Sequence, residues 1–546
     1  MRRLLAPAKT REALGWSVRQ VSSLGGYYSR QRCFPLSKGE PEESVLPTTT
    51  PISTRATNGV FAAVAVLASV GLLPSFDKSI WRDEGASLYS AHLSWSALWQ
   101  QSVVVDRVLL PYYALLHLWL ELSASVEWAR TPSLLAYGLT VFLAGHFGNR
   151  LGGLWCGVLA AVVTATNPLM IRAALDARPY AFATLAATVS VVALIRWFNG
   201  GGVRWVWCFS LAAIIALVLQ MFIVLAPLSV LVATIALKPR MFRSQWRNLT
   251  APIGLVLAVV VAFVSTVASQ QRQVAWIPSI TAKQFARAMV GPASGNSLDG
   301  RQPIYAAVLL LLALITSVTC IRKWRRRRLR PPRDELELFA TCLAWAALPT
   351  AALITVSLVK PIYVERYVTS SVPGMAIALG LLTTRAFSPN LPRVSLRSRK
   401  IFSRAALGIA VLVLVANSIS VSRSVVENIQ GAAQYLNYHL GPNAEMALPD
   451  HSLTAGVDYY LQSNHAIENS WPEKTKQLYI EGFDLLVNPQ TLASAPDNVW
   501  LVNDGSVQGT NGFIAALKQD GFVRLNSKLF AGLEDLRVEH FRRAKK

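Results

Sequence analysis

Residues 56–85 read ATNGVFAAVAVLASVGLLPSFDKSIWRDEG, an apolar segment of membrane-spanning length followed closely by two adjacent carboxylates. A helix needs about 20 mostly apolar residues to cross a bilayer, and similar segments recur as far as residue 421. Hydrophobic residues make up 53% of the 546-residue chain and charged residues 15%, against about 25% charged residues in soluble domains. The sequence therefore predicts an α-helical polytopic membrane protein.

The spacing of the apolar segments predicts about eleven transmembrane helices. A further apolar stretch, 108–120, is placed in the membrane interface, since a span there would turn the basic cluster 325–328 outward. The net charge of +23 comes largely from short loops and orients the helices, so it does not indicate nucleic-acid binding. The predicted spans are 56–74, 131–149, 151–168, 180–196, 205–219, 222–237, 250–268, 303–321, 337–358, 367–384 and 404–421.

Charge also divides the chain into three predicted parts. Residues 1–55 are basic, rich in Ser, Thr and Pro, and lack the apolar core of a signal peptide, which predicts a disordered cytoplasmic tail. Residues 56–421 form the transmembrane part. Residues 422–546 carry 11 Lys and Arg against 14 Asp and Glu, and alternating strand and helix patterns predict a small extracytoplasmic α/β domain. The predicted location is the plasma membrane.

This topology brings several polar segments together at the outer face of the membrane. None is specific alone, because an acidic pair after a span is often a solvated helix end and Arg or Tyr often anchors a helix at the interface. No Cys or His spacing typical of a metal site occurs. The polar residues in these segments are Asp83 and Glu84 in 75–130, Asp176, Arg178 and Tyr180 in the next outer loop, and Lys360, Tyr363 and Arg366 in the last.

Taken in order, the motifs resemble the GT-C superfamily of membrane glycosyltransferases. The resemblance covers residues 56–421, and the similar branch includes protein O-mannosyltransferases, lipid A aminoarabinose transferases and actinobacterial cell-envelope mannosyltransferases. The motifs are Arg82-Asp83-Glu84-Gly85 after the first span, Pro111-Tyr112-Tyr113, then Ala177-Arg178-Pro179-Tyr180-Ala181 at the start of a span, Trp276-Ile277-Pro278 in an outer loop, and Glu365-Arg366-Tyr367 before an apolar run.

The resemblance implies transfer of a sugar, with mannose favoured, from a polyprenyl-phosphate donor to a hydroxyl of a glycan, lipoglycan or protein, with inversion. Asp83 then matches the general base and Glu84 its partner carboxylate. A positioned carboxylate can take the proton of an acceptor hydroxyl, and cations can neutralise a phosphate leaving group. The resemblance fixes no cofactor, and a divalent cation at Asp176 stays open. The residues expected to bind the donor are Asp176, Arg178, Tyr180, Lys360, Tyr363 and Arg366.

Two other classes of protein are alternatives to a transferase. A transporter or flippase of lipids or glycans would show ionisable residues near the membrane midplane, broken helices or two matching halves, and none of these is evident in the sequence. A non-catalytic scaffold would leave the pattern of Asp83, Glu84 and Arg178 unexplained. Arabinose and glucose remain open as the sugar, and the sequence does not identify the acceptor.

Overall fold

The protein is described by a computed structural model covering residues 54–104, 106–269, 277, 279–290, 292, 302–327, 332–387, 396–439, 445–447, 451–464, 497–503 and 510–544. All of these residues belong to one compact unit. The predicted disordered tail 1–55 lies outside the described residues except for its last two positions. Trp276 and Pro278 of the predicted Trp-Ile-Pro motif also lie outside them.

Helices dominate the described part of the chain. The first group surrounds the first outer segment: α1 Thr54–Leu72, α2 Arg82–His92, α3 Trp95–Val104, α4 Leu110–Leu120, α5 Val126–Gly152, α6 Leu154–Thr166, α7 Pro168–Leu175 and α8 Tyr180–Phe198. The rest are α9 Arg204–Leu219, α10 Leu225–Leu237, α11 Pro239–Ser269, α12 Ala282–Met289, α13 Gln302–Arg327, α14 Arg333–Ser357, α15 Val372–Phe387, α16 Leu396–Arg423, α17 Ile429–His439, α18 His451–Asn464 and α19 Thr510–Gln519.

The predicted multi-pass helical architecture is confirmed. Within the described ranges, six helices are long and apolar enough to cross a membrane, and a bent pair of helices, α6 and α7, raises this to seven. Ten of the eleven predicted spans fall on one helix, or on a helix with a 3-10 helix next to it, whereas the span 151–168 begins in the end of α5, covers α6 and reaches the first residue of α7. Several of these helices are shorter than the roughly 20 residues that a straight span needs, so the count of eleven spans stays a prediction.

The bent pair directs polar residues toward the site described below. Asn167 separates α6 from α7 in extended conformation, and its side-chain oxygen accepts hydrogen bonds from the backbone N–H groups of Leu169 at 3.0 Å and Met170 at 3.4 Å. Pro168 takes the first helical position, where its missing N–H costs nothing. The chain turns by 58° at this point, and α7 then ends at Asp176.

Residues 75–130, which are predicted to lie at the outer face, contain three short helices, α2, α3 and α4. The stretch predicted to lie in the interface, 108–120, contains α4, whose 11 residues are too few to cross a bilayer as a helix. Trp119 and Trp128 stack with ring centroids 4.7 Å apart, and each indole N–H donates to the other residue's carbonyl at 3.0 Å. This exchange fixes the start of α5 against the end of α4.

The C-terminal segment contains a four-stranded sheet of order β1-β2-β4-β3, with β1 parallel to β2 and the other pairs antiparallel. The predicted alternation of helices and strands is present in the described residues of this segment. The division into domains and the outer location of this segment stay predictions. The strands are β1 Glu445–Ala447, β2 Asn498–Asn503, β3 Phe522–Phe530 and β4 Leu536–Arg543.

The topology can be tested by labelling single cysteines at exposed positions. In a background without native cysteines, Ser123→Cys and Tyr438→Cys should react with a membrane-impermeant maleimide added to intact cells, because the charge bias places both segments outside. Ser244→Cys, in the basic first part of α11, should react only after permeabilisation. Protection of position 123 or 438 in intact cells would contradict the orientation.

Candidate active site

Asp83 lies in the first turn of α2, between two arginines from distant parts of the chain. Its Oδ2 atom is 3.0 Å from Nη2 of Arg366 and 3.7 Å from Nη2 of Arg178. Arg178 is buried and also donates through Nη1 to the carbonyl of Asp83 at 3.0 Å and to Ser87 Oγ at 2.8 Å. The Asp83 side chain keeps 22% of its surface exposed, so its carboxylate remains accessible.

Arg366 joins Asp83 to a cavity. It is the second residue of a 3-10 helix, Glu365–Ser371, which follows Val364 in extended conformation. Its guanidinium lies over the Trp81 ring at 5.2 Å, a cation–π arrangement that holds the planar group in place. Arg366 also lines the cavity, whereas Asp83 is not among the described residues of the lining and contacts Arg366 beside it.

The cavity has a volume of about 280 Å³ and opens between α7, α12, the loop before α15 and the C-terminal segment. Its walls carry the cations Arg172 and Arg366. Two donors of its wall, the hydroxyl of Tyr363 and Nε1 of Trp81, have no hydrogen-bond partner among the described residues. A ligand with acceptor oxygens would satisfy them. The other polar residues of the lining are Asp176, Tyr180, Gln284, Glu365, Thr369 and Glu534.

Asp176 is the acid at the end of α7, and its surroundings oppose its ionisation. Burial, together with the charge of Glu84, raises the pKa of Asp176 to about 7, while nearby cations act in the other direction. One of these cations is Lys78, whose own pKa burial lowers to about 8. Lys78 Nζ donates to the carbonyl of Ser424 at 3.0 Å. Burial thus moves the pKa values of Asp176 and Lys78 toward neutral pH from opposite sides.

Glu84 points the opposite way from Asp83, into the protein. Its side chain has 0% exposed surface and accepts two hydrogen bonds from Arg130, at 2.7 Å from Nε and 2.6 Å from Nη2. It also accepts from the backbone N–H of Ala177 at 2.9 Å. Arg130 donates further to the carbonyls of Phe76 at 2.6 Å and Lys78 at 3.0 Å. The pair ties the start of α2, the start of α5 and the turn before α8 together, and Glu84 is not among the described residues that line the cavity.

The structure brings most of the predicted site residues together. Asp176, Tyr180, Tyr363 and Arg366 line one cavity. Asp83 and Arg178 border it, and Glu84 lies beneath them. Lys360 is exposed and is not part of the lining.

Four residues around the site were missed by the sequence reasoning: Arg130, Arg172, Lys78 and Trp81. Three of them are cations on the predicted outer side, where the orienting bias disfavours positive charge. This exception to the orienting bias applies to Lys360 and Arg366 as well, and it is the sequence signal that could have identified these three cations. Nothing in the sequence singled out Trp81 beyond its position before the acidic pair.

The donor set of the site fits an anion better than a cation. Asp83 is flanked by arginines and Asp176 by Arg172 and Lys78, and guanidinium and ammonium groups offer donors only. Among the described residues, no group of three or more His, Cys, Asp or Glu side chains is placed to hold a metal ion. A divalent cation at Asp176 would have to compete with these two positive charges.

Comparison with known proteins supports the fold. No protein-family model and no curated protein matches the chain. The structure of ArnT from Cupriavidus metallidurans in the apo state is 13% identical, with a TM-score of 0.50 over 89% of this chain and 98% of that one. The same ArnT bound to undecaprenyl phosphate gives a TM-score of 0.49 at 14% identity, covering 88% of this chain and 97% of that one.

A further similar structure is arabinofuranosyltransferase AftD from Mycobacteria, with a TM-score of 0.48 and 14% identity over 91% of this chain and 40% of that one. At these identities the similarity concerns the fold. The chain has a GT-C-like fold, as its motifs predicted, and it is a multi-pass membrane protein.

Breaking the pair of Glu84 and Arg130 should destabilise the protein strongly. Arg130→Met leaves a buried carboxylate unpaired and should lower the free energy of unfolding by about 3–5 kcal/mol. The double variant Glu84→Leu/Arg130→Met should lose less than the single one, because neither charge remains. Chemical unfolding in detergent micelles measures both.

The matched control is Arg333→Met, which removes one partner of the exposed pair with Glu337 and should cost about 0–1 kcal/mol. A loss in Arg130→Met no larger than in this control would contradict the structural role of the buried pair.

Proposed function

We propose that this protein is a membrane glycosyltransferase that moves a sugar from a polyprenyl-phosphate donor to an acceptor hydroxyl on the outer face of the plasma membrane, with inversion at the anomeric carbon. The observation that carries the proposal is the 3.0 Å contact between Arg366 and Asp83 at the wall of the cavity. It places an accessible carboxylate beside a cation that lines a cavity large enough for a sugar. The GT-C-like fold and the motif resemblance support the same class of reaction.

The donor phosphate is assigned to the guanidinium of Arg366. A guanidinium presents its donors in a planar fork that matches two phosphate oxygens, and here it already lies ordered over Trp81. Tyr363 offers a hydroxyl without a partner among the described residues, and Arg172 adds a second positive charge to the cavity. Arg178 is assigned to positioning Asp83, since its guanidinium contacts both the side chain and the carbonyl of that residue.

The sugar is assigned to the part of the cavity between Asp176 and Tyr180. Both line it, and a carboxyl group with a pKa of about 7 can donate to or accept from a sugar hydroxyl near neutral pH. Mannose is favoured by the sequence resemblance. Lys360 is exposed next to the loop that carries Tyr363 and Arg366. We assign it to attracting the anionic donor toward the cavity rather than to binding the phosphate within it.

The reaction is a single displacement. The acceptor oxygen attacks the anomeric carbon as Asp83 takes its proton, and the bond from that carbon to the phosphate oxygen breaks. The bonding electrons leave with the polyprenyl phosphate, whose added negative charge the guanidinium of Arg366 stabilises. When the polyprenyl phosphate dissociates, the guanidinium of Arg366 is again available to pair with Asp83. The products are a glycosylated hydroxyl of a glycan, lipoglycan or protein and a free polyprenyl phosphate.

Glu84 is assigned a positioning role in this scheme. Its buried ion pair with Arg130 and its hydrogen bond to the N–H of Ala177 hold α2 against the segment that carries Asp176 and Arg178. It does not touch the substrate.

Arg366→Lys tests the assignment of the phosphate. Lysine keeps the charge but loses the fork, so donor use should weaken by about 1–3 kcal/mol, the worth of a charge-assisted hydrogen bond. The measurement is kcat/KM for radiolabelled polyprenyl-phosphate mannose in purified membranes. Arg385→Lys, at an arginine paired with Glu335 outside the site, should leave kcat/KM unchanged. Equal values in the two variants would move the assignment to Arg172 or Arg178.

Asp83→Asn tests the general base. Asparagine keeps the shape and cannot accept a proton, so turnover should fall about 10²–10⁴-fold while abundance is preserved. Glu121→Gln is the control, because Glu121 is a solvent-exposed carboxylate of the same outer segment. Full turnover in both Asp83→Asn and Glu84→Gln would end the enzyme interpretation of this segment. Activity in Asp83→Asn with a folded but inactive Glu84→Gln would reverse the two roles.

A further inference from the structure

The C-terminal segment contacts the stretch of chain that carries Asp83, and one carboxylate dominates the contact. Glu427 follows the last long helix, α16, and its side chain has 0% exposed surface. Its Oε2 atom accepts from the backbone N–H of Arg82 at 2.8 Å, and its Oε1 accepts from Nε of the same residue at 2.5 Å. The Glu427 carboxylate therefore accepts hydrogen bonds from both the backbone and the side chain of Arg82, the residue before Asp83.

Helix α2 depends on this carboxylate because its own sequence supplies no cap. Trp81 occupies the N-cap position in extended conformation and makes no side-chain cap hydrogen bond. The first N–H groups of a helix have no partner within the helix, and the helix dipole favours a negative charge there. Glu427 supplies an acceptor and that charge from a position 345 residues further along the chain.

Two further contacts from the C-terminal segment fix the same stretch. The backbone N–H of Ile80 donates to the hydroxyl of Tyr460 at 2.8 Å. Gly85 lies so close to Gly456 of α18 that a Cβ atom on Gly85 would be 2.8 Å from the Gly456 nitrogen. Contacts therefore occur before, at and after the Arg82–Asp83 pair, and they leave the chain little freedom to shift along or away from the cavity.

The same segment also reaches the cavity itself. Arg82 Nη2 is 3.2 Å from Oε2 of Glu534, and Glu534 lines the cavity together with Val426. The backbone N–H of Glu534 donates to the carbonyl of Val426 at 2.9 Å, which ties the turn between β3 and β4 to the residue before Glu427. Movement of the sheet would thus be transmitted to Arg82.

We propose that the C-terminal segment is part of the active site and that Glu427 is a positioning residue. Its hydrogen bonds to the backbone N–H and the side chain of Arg82 hold the neighbouring Asp83 carboxylate beside the cavity. The expected effect on turnover rests on the proposed function, whereas the positioning of α2 by Glu427 does not. Since a displacement of about 1 Å in a catalytic group can cost about 10²-fold in rate, loss of the hydrogen bonds from Arg82 to Glu427 should lower turnover. Donor binding, which the wall of α7 and Arg366 provides, should persist.

The test compares Glu427→Ala and Glu427→Gln with Glu539→Gln in the full-length protein. Glu539 is the matched control, since it is a buried carboxylate of the same segment that accepts hydrogen bonds from Arg524 at 2.7 Å and from Asn503 at 3.3 Å, both within that segment. Hydrogen exchange of peptides covering 82–92 and steady-state transfer from polyprenyl-phosphate mannose are measured on each variant.

In Glu427→Ala we expect faster exchange in 82–92 and a kcat lower by about 10²-fold, with a donor KM within about threefold of the parent value. Glu427→Gln keeps an acceptor oxygen for the N–H of Arg82 and should recover part of both losses. Glu539→Gln should change neither the exchange of 82–92 nor kcat.

Unchanged exchange of 82–92 in Glu427→Ala overturns the proposal, and so does a kcat equal to that of Glu539→Gln, or a loss confined to KM. If the parent protein transfers no sugar from any polyprenyl phosphate, the proposed function fails instead. The exchange measurement then still decides whether Glu427 positions the start of α2.

Discussion

The buried ion pair between Glu84 and Arg130 is the interaction on which the site depends. It joins the start of α2, the start of α5 and the turn before α8, and its charges have no contact with solvent. Successive residues of a helix point about 100° apart, so fixing Glu84 toward the interior leaves Asp83 on a different side of α2, where it contacts Arg366 and Arg178. The two adjacent carboxylates therefore have different tasks: one anchors the helix and the other is available for chemistry.

Around the Glu84–Arg130 pair, each carboxylate lies beside residues of positive charge. Arginines flank Asp83, a lysine and an arginine flank Asp176, and carboxylates from the C-terminal segment hold Arg82. The cavity thus combines cations for a phosphate with carboxyl groups for hydroxyls, the pairing that a sugar phosphate requires. Because the site is assembled from the first outer segment, the turn after α7, the loop before α15 and the C-terminal segment, its geometry depends on the whole fold.

Much of this could be predicted from the sequence, for identifiable reasons. Apolar segments near 20 residues long indicate helices without any knowledge of packing, and the orienting charge bias alone assigns Asp83, Arg178 and Arg366 to one face of the membrane. The role of Glu84 could not be predicted, because its partner Arg130 is distant in sequence and resembles an ordinary helix-end arginine. Glu427 was missed for the same reason, since nothing in its local sequence distinguishes it from a solvated acid.

The most direct test of the central claim is the anomeric configuration of the product. Membranes supplied with radiolabelled polyprenyl-phosphate mannose of known configuration are incubated, and the labelled product is digested with glycosidases specific for each anomer. A single displacement assisted by the Asp83 carboxylate predicts that the configuration is inverted relative to the donor. A product with retained configuration would require a glycosyl–enzyme intermediate and would contradict the assignment of Asp83 as a general base.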